Sequence, residues 1–300
     1  MKLTKASSRA PLACPQSHRR QVGFSLVELM VALVVGMVVI GALMASFAAM
    51  SVNNRHSQAM AQMTEDASTA LNMLRANLSL AGYSRPSGAP ITANGMVPKV
   101  YSGVWLRGCN GTFDDLSLAI GNLTCTAGAG TPKDSLAVAY EADAVNSVAS
   151  GGVPLDCLGN ALTQVAGPPA YYLGYNRFFI DGGALKCRGD GSNVSQPLVE
   201  NIHGMKVMYK VVTNLRSGVP AAWNDPSLWS SYYASPAALG TDYSGVTAVR
   251  ICLIVKSSNE VMDAITSYKD CDQTDQTPTD KRMYRAFTTT VALQNNLGAI

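Results

Sequence analysis

Residues 23–47 read Gly23-Phe-Ser-Leu-Val-Glu28-Leu-Met-Val-Ala-Leu-Val-Val-Gly36-Met-Val-Val-Ile-Gly41-Ala-Leu-Met-Ala-Ser-Phe47. From Phe24 to Phe47 the run is apolar and holds one charge, Glu28. Twenty-four helical residues rise about 36 Å, enough to cross a bilayer. A carboxylate inside such a segment costs roughly 2.5–3.5 kcal/mol on insertion scales, so Glu28 calls for a partner. Cleavage after Gly23 supplies one. It gives Phe24 a new α-amine one helical turn from Glu28, and the carboxylate of one copy then neutralises the amine of the next. A conventional secretory signal has a shorter apolar core and no such acid. A plain signal anchor needs neither the Gly-Phe junction nor Glu28.

The flanking residues orient the segment. Lys2, Lys5, Arg9, Arg19 and Arg20 precede it, with no acids among residues 1–23. Positive charge holds that end in the cytoplasm and sends the rest across. The chain has 23 Lys and Arg against 20 Asp and Glu; with the five leader bases removed, the remainder carries about −2. A basic, nucleic-acid-binding body is therefore not indicated.

Seven cysteines are present, and removal of 1–23 takes Cys14 and leaves an even six. An even count beyond a membrane segment points to disulfides in an oxidising compartment. Several pairings are open. Proximity in sequence favours Cys109–Cys125, Cys157–Cys187 and Cys252–Cys271. A zinc site lacks any C-x-x-C pair to start from.

After the apolar run, Met60, Met63, Ala67, Ala70, Leu71, Leu74, Leu78 and Ala81 recur every three or four residues. That spacing makes one apolar helical face. No Pro interrupts 24–81, so one helix of about 58 residues is expected, with 24–47 transmembrane and 48–81 amphipathic. Gly82 and the Pro- and Gly-rich stretch to Pro90 end it and read as a linker over 82–90. Residues 91–300 form a β-rich head. Arg177–Asp181, Gly182-Gly183 and Ala184–Arg188 read as a hairpin. Alternating strands are expected around Met205–Val211, Val249–Val255 and Phe287–Leu293. Residues 122–170 and 213–245, rich in Gly, Ala, Ser and Pro, read as long loops or short irregular pieces.

Chemistry-bearing patterns are sparse. Outside the leader the histidines are His56 and His203, and neither neighbours a nucleophile motif. G-x-S-x-G and H-E-x-x-H are missing from the chain, and S-x-x-K from the part after residue 23. No catalytic residues, no metal and no cofactor are assigned, and the chain reads as a non-enzyme. Asp181-Gly182-Gly183 and Asp190-Gly191-Ser192-Asn193 read as turns rather than calcium ligands. Trp223, Trp229, Tyr232 and Tyr233, with Tyr243 nearby, are either core or a surface for a partner subunit or glycan.

Arg19-Arg20 followed by Gly23-Phe24-Ser25-Leu26-Val27-Glu28 resembles the class III signal of type IV pilins and pseudopilins. The resemblance implies removal of 1–23 by prepilin peptidase, N-methylation of Phe24 and use of Glu28 in filament assembly. It also implies the fold: α+β, pilin-like, one long N-terminal helix on a mainly antiparallel sheet. In the head, Leu80-Ala81-Gly82-Tyr83, Gln196–Ile202 with Tyr209, Val249–Val255 and Tyr284–Leu293 resemble the PilW group of minor pilins and its relative GspJ. A PilW-like chain implies a scarce pilus subunit that primes assembly and sits near the tip. Its implied partners are other minor pilins, the major pilin, the inner-membrane assembly platform and a large tip adhesin. A GspJ-like chain implies the tip of a type II secretion pseudopilus instead. A pilus-borne adhesin that binds ligand directly is a third reading.

Overall fold

The computed structural model describes residues 23–92, 97–128, 132–192, 194–213 and 230–295. One helix, α1 (Leu26–Leu80), opens it. The chain divides into two compact units within α1, between Asn53 and Asn54. In the first unit the apolar residues of α1 are exposed, from Leu26 through Met50. Among the described residues α1 alone is long and apolar enough to cross a membrane.

In the second unit α1 buries one stripe, Met63, Ala67, Ala70, Leu74 and Leu78. The stripe packs against two sheets. In the first run β1 (Leu106–Cys109), β2 (Ser135–Ala142), β3 (Tyr171–Asp181), β4 (Ala184–Arg188) and β5 (Gln196–Glu200), in sequential antiparallel order. Gln164–Val165 adds to β3 as a sixth, short piece. In the second run β6 (Ile202–Thr213), β7 (Ser230–Ala234), β8 (Val246–Glu260) and β9 (Arg282–Ala292), in the order β7-β6-β8-β9. Leu136, Val138, Phe178, Ile180 and Leu185 of the first sheet and Val207, Tyr209, Val249, Ile251 and Leu253 of the second join the helix stripe in one core. Burying each large aliphatic side chain there contributes about 1.5–3 kcal/mol.

The sequence pattern placed β6, β8 and β9 by alternation of residue type and β3–β4 by the Gly182-Gly183 turn. It misplaced β2, which lies in the stretch expected to be a loop. All eight residues from Ser135 to Ala142 are buried. A strand covered on both faces has no alternation to display, and its alanines carry weak β signal. The other face of β2 holds a second cluster, in which Ala137 and Ala139 meet Cys109, Phe113, Ile120 and Leu123. Residues 230–234, also expected as loop, form β7 and pair with Tyr209–Thr213. Ser235 then caps a short helix, α2 (Pro236–Leu239), accepting from the Ala238 N–H at 3.4 Å.

Disulfides close Cys109–Cys125, Cys157–Cys187 and Cys252–Cys271. The first holds the excursion over the outer face of the first sheet. The last fastens the Tyr268–Gln276 hairpin to β8.

Residues 82–90 are fastened to the head. Gly82 takes a left-handed φ of +75°, and a Cβ there would meet the Trp105 ring at 3.3 Å, so only glycine fits. Its N–H donates to the Ala139 carbonyl at 2.9 Å. Glu141, 1 % exposed, accepts from the Ser84 hydroxyl at 2.7 Å and the Arg85 N–H at 2.9 Å, and pairs with the Arg85 guanidinium. The helix exit is thus pinned to β2 by a buried carboxylate whose hydrogen bonds are met.

Candidate functional site

The chemistry expected from the sequence lies at the start of α1. Gly23 has nothing within 4 Å of the position a Cβ would take, and Phe24 is 83 % exposed. Ser25 is the residue that sequence reasoning passed over. Its hydroxyl accepts from the Glu28 N–H at 3.3 Å, and its carbonyl from the Leu29 N–H at 3.2 Å. Ser25 therefore caps α1, and Ser25-x-x-Glu28 is the capping-box spacing, the signal that reveals it. Glu28 sits in the first turn, where the helix dipole favours a negative charge. The Glu28 side chain is exposed and α1 begins at Leu26, so Phe24 precedes the helix rather than belonging to it.

The aromatic group expected near 223–243 separates. Trp223, Trp229 and the side chain of Tyr232 lie outside the described residues. Tyr233 packs its ring on the Arg250 guanidinium at 3.8 Å. Tyr243 is core, where its hydroxyl donates to the Gly108 carbonyl at 3.1 Å and accepts from the Gly108 N–H at 3.0 Å. Tyr209 meets it edge-on at 5.0 Å. The Tyr209 hydroxyl is fully buried and has no hydrogen-bond partner among the described residues.

His203 lies half-buried with its ring edge-on to Tyr284 at 5.1 Å. Burial, then Lys256 and Lys133, push its pKa down. His56 meets the Val261 carbonyl at 2.8 Å and so ties α1 to the head's lower loop. Asp181 is at the β3–β4 turn with Lys186, and Asp190 pairs with the buried Arg177. No group of three or more metal-ligating side chains converges among the described residues.

A second buried carboxylate joins the two sheets. Asp134, 6 % exposed, accepts from the Val207 N–H at 2.8 Å, and its own N–H donates to the Met205 carbonyl at 2.9 Å. Desolvation raises its pKa to about 6.

A long, capped apolar helix followed by antiparallel sheets is a pilin-like fold. Comparison with known proteins narrows it. Residues 18–44 match the Prokaryotic N-terminal methylation motif, and residues 170–295 match the family Type IV Pilus-assembly protein W. The chain is thus similar to type IV pilus minor pilins over its N-terminal segment and most of its second half. Among solved structures it is similar to the type IV-like pilin TTHA1219 from Thermus thermophilus, at 12 % identity and a TM-score of 0.30, over 54 % of this chain and 78 % of that one. No curated protein matches.

Proposed function

We propose that this chain is a minor pilin that primes assembly of the type IV pilus and stays in the tip complex. The supporting observation is the uncovered apolar half of α1, with Glu28 in its first turn and Phe24 just before its cap. A bare apolar helix of this length is stable only in lipid or packed against other helices.

In the proposed sequence, prepilin peptidase removes residues 1–23 on the cytoplasmic side and Phe24 is N-methylated. The chain waits in the inner membrane as a single-pass protein with its head in the periplasm. Extraction then packs α1 among like helices of other minor pilins and the major pilin, driven by the assembly platform. Glu28 meets the Phe24 amine of a neighbour, a charge pair strengthened by the low dielectric of a helical core. The half-buried ring of Tyr233, packed on the exposed Arg250, belongs to a surface for another subunit or a tip adhesin.

The test is a clean deletion assayed for sheared surface filaments and for secreted exoproteins. Loss of filaments with normal secretion is expected. Loss of secretion with normal filaments moves the chain to a GspJ-like role in a pseudopilus. Normal filaments combined with loss of binding by the isolated pili favours the adhesin reading.

A further inference from the structure

The second sheet ends in a strand that is poorly defended. Sheet edges expose unpaired N–H and C=O groups, and monomers blunt them with short strands, prolines, bulges or charges. The other edges here follow that rule. β1 has four residues, and β5 carries Pro197, Glu200 and a register shift between Pro197 and Val199. β7 has five residues. β9 has eleven, paired with β8 in unbroken register from Tyr284 to Ala292. From Ala286 to Ala292 it reads Ala-Phe-Thr-Thr-Thr-Val-Ala, with no charge and no proline. Such a segment joins another strand readily.

A groove runs beside that edge. It has a volume of about 890 Å³, and its lining includes His56, Met60, Thr64, Glu65, Ser68 and Met283. Ser57, Ala61, Thr64 and Ser68 recur on this flank of α1 at three- and four-residue intervals, so the helix offers small side chains, with the Glu65 carboxylate among them. On the strand side Arg285 is exposed, reaches the Met60 sulfur at 3.4 Å and lies over the Phe287 ring at 5.7 Å. Arg285 has no carboxylate within ion-pair distance among the described residues.

We propose that the outer edge of β9, unpaired among the described residues, accepts a β-strand from a neighbouring, different subunit of the filament, which rests on the minor-pilin reading. Main-chain bonds to β9 hold the strand, and its alternate side chains fill the groove. Those facing α1 are small, and one is acidic and meets Arg285. A second copy of this chain fits poorly, because its own β9 has no carboxylate to meet Arg285.

Hydrogen exchange on the tagged full-length chain in detergent tests this. The chain is isolated once from cells with the complete pilus system and once from cells expressing it alone. Alternate amides within 285–292 should exchange about tenfold slower or more in the assembled sample. Arg285→Glu combined with Thr290→Lys should abolish that slowing and the co-isolated pilin while leaving the melting temperature of the lone chain unchanged. Arg285→Lys should retain both. Equal exchange of 285–292 in the two samples overturns the inference, whether or not a complex is recovered. Slowing in the lone chain at high concentration makes a second copy the occupant and overturns the choice of partner. If filaments still depend on the chain while this edge stays open, the strand addition fails and the minor-pilin role stands.

Discussion

Replacing Asp134 by Asn should stabilise the protein at neutral pH, and the gain should vanish in acid. Asp134 is 6 % exposed and its pKa stands at about 6, against 3.8 for the free side chain, because desolvation outweighs the Val207 N–H bond and the attraction of Lys206. A raised carboxyl pKa means the folded state binds the proton more tightly than the unfolded one. The stability from the protonated form is then complete below about pH 4 and is lost as pH rises through about 6. The gap of roughly two pH units corresponds to about 3 kcal/mol at pH 7.5. Asparagine is uncharged throughout and keeps an oxygen for the Val207 N–H. The variant should therefore melt about 6–12 °C above the wild type at pH 7.5, for a unit of this size. At pH 4 the two should melt together. Near-ultraviolet circular dichroism of the full chain in detergent, at four pH values between 4 and 7.5, measures this. A variant less stable at pH 7.5, or a difference independent of pH, would show that the ionised carboxylate is welcome between Val207 and Lys206.

Other outcomes are as specific. Gly108→Ala drives a methyl into the Tyr209 hydroxyl in a closed core and should cost at least about 3 kcal/mol by urea unfolding. Tyr209→Phe removes a hydroxyl without a partner and should be neutral or stabilising by about 1 kcal/mol, and a double-mutant cycle should show that it relieves part of the Gly108→Ala cost. Glu141→Ala strands the Ser84 hydroxyl and the Arg85 N–H and should cost about 2–4 kcal/mol; early proteolysis at 82–90 would report the same loosening. Glu28→Ala should leave the chain processed and in the membrane but scarce in sheared filaments, and normal incorporation there would remove Glu28 from assembly. A bulky residue at Gly23 should block cleavage, which N-terminal sequencing reads directly.

The N-terminal motif was legible because its information is local. Apolar length, one acid and a Gly-Phe junction need no tertiary partner to be recognised. The helix was legible for the same reason, and it differs at its ends by one or two residues: Ser25 caps it and Gly82 forces the chain to turn. Strands with one solvent face, such as β6 and β9, announced themselves by alternation. Only the tertiary structure could reveal β2, since burial of both faces erases its period. The same holds for Glu141 and Asp134, ordinary carboxylates in sequence that become buried fasteners once Ser84, Arg85 and Val207 arrive from far along the chain. It holds too for the open edge of β9, because which strand lies last in a sheet is decided by long-range pairing and leaves no mark on the strand itself.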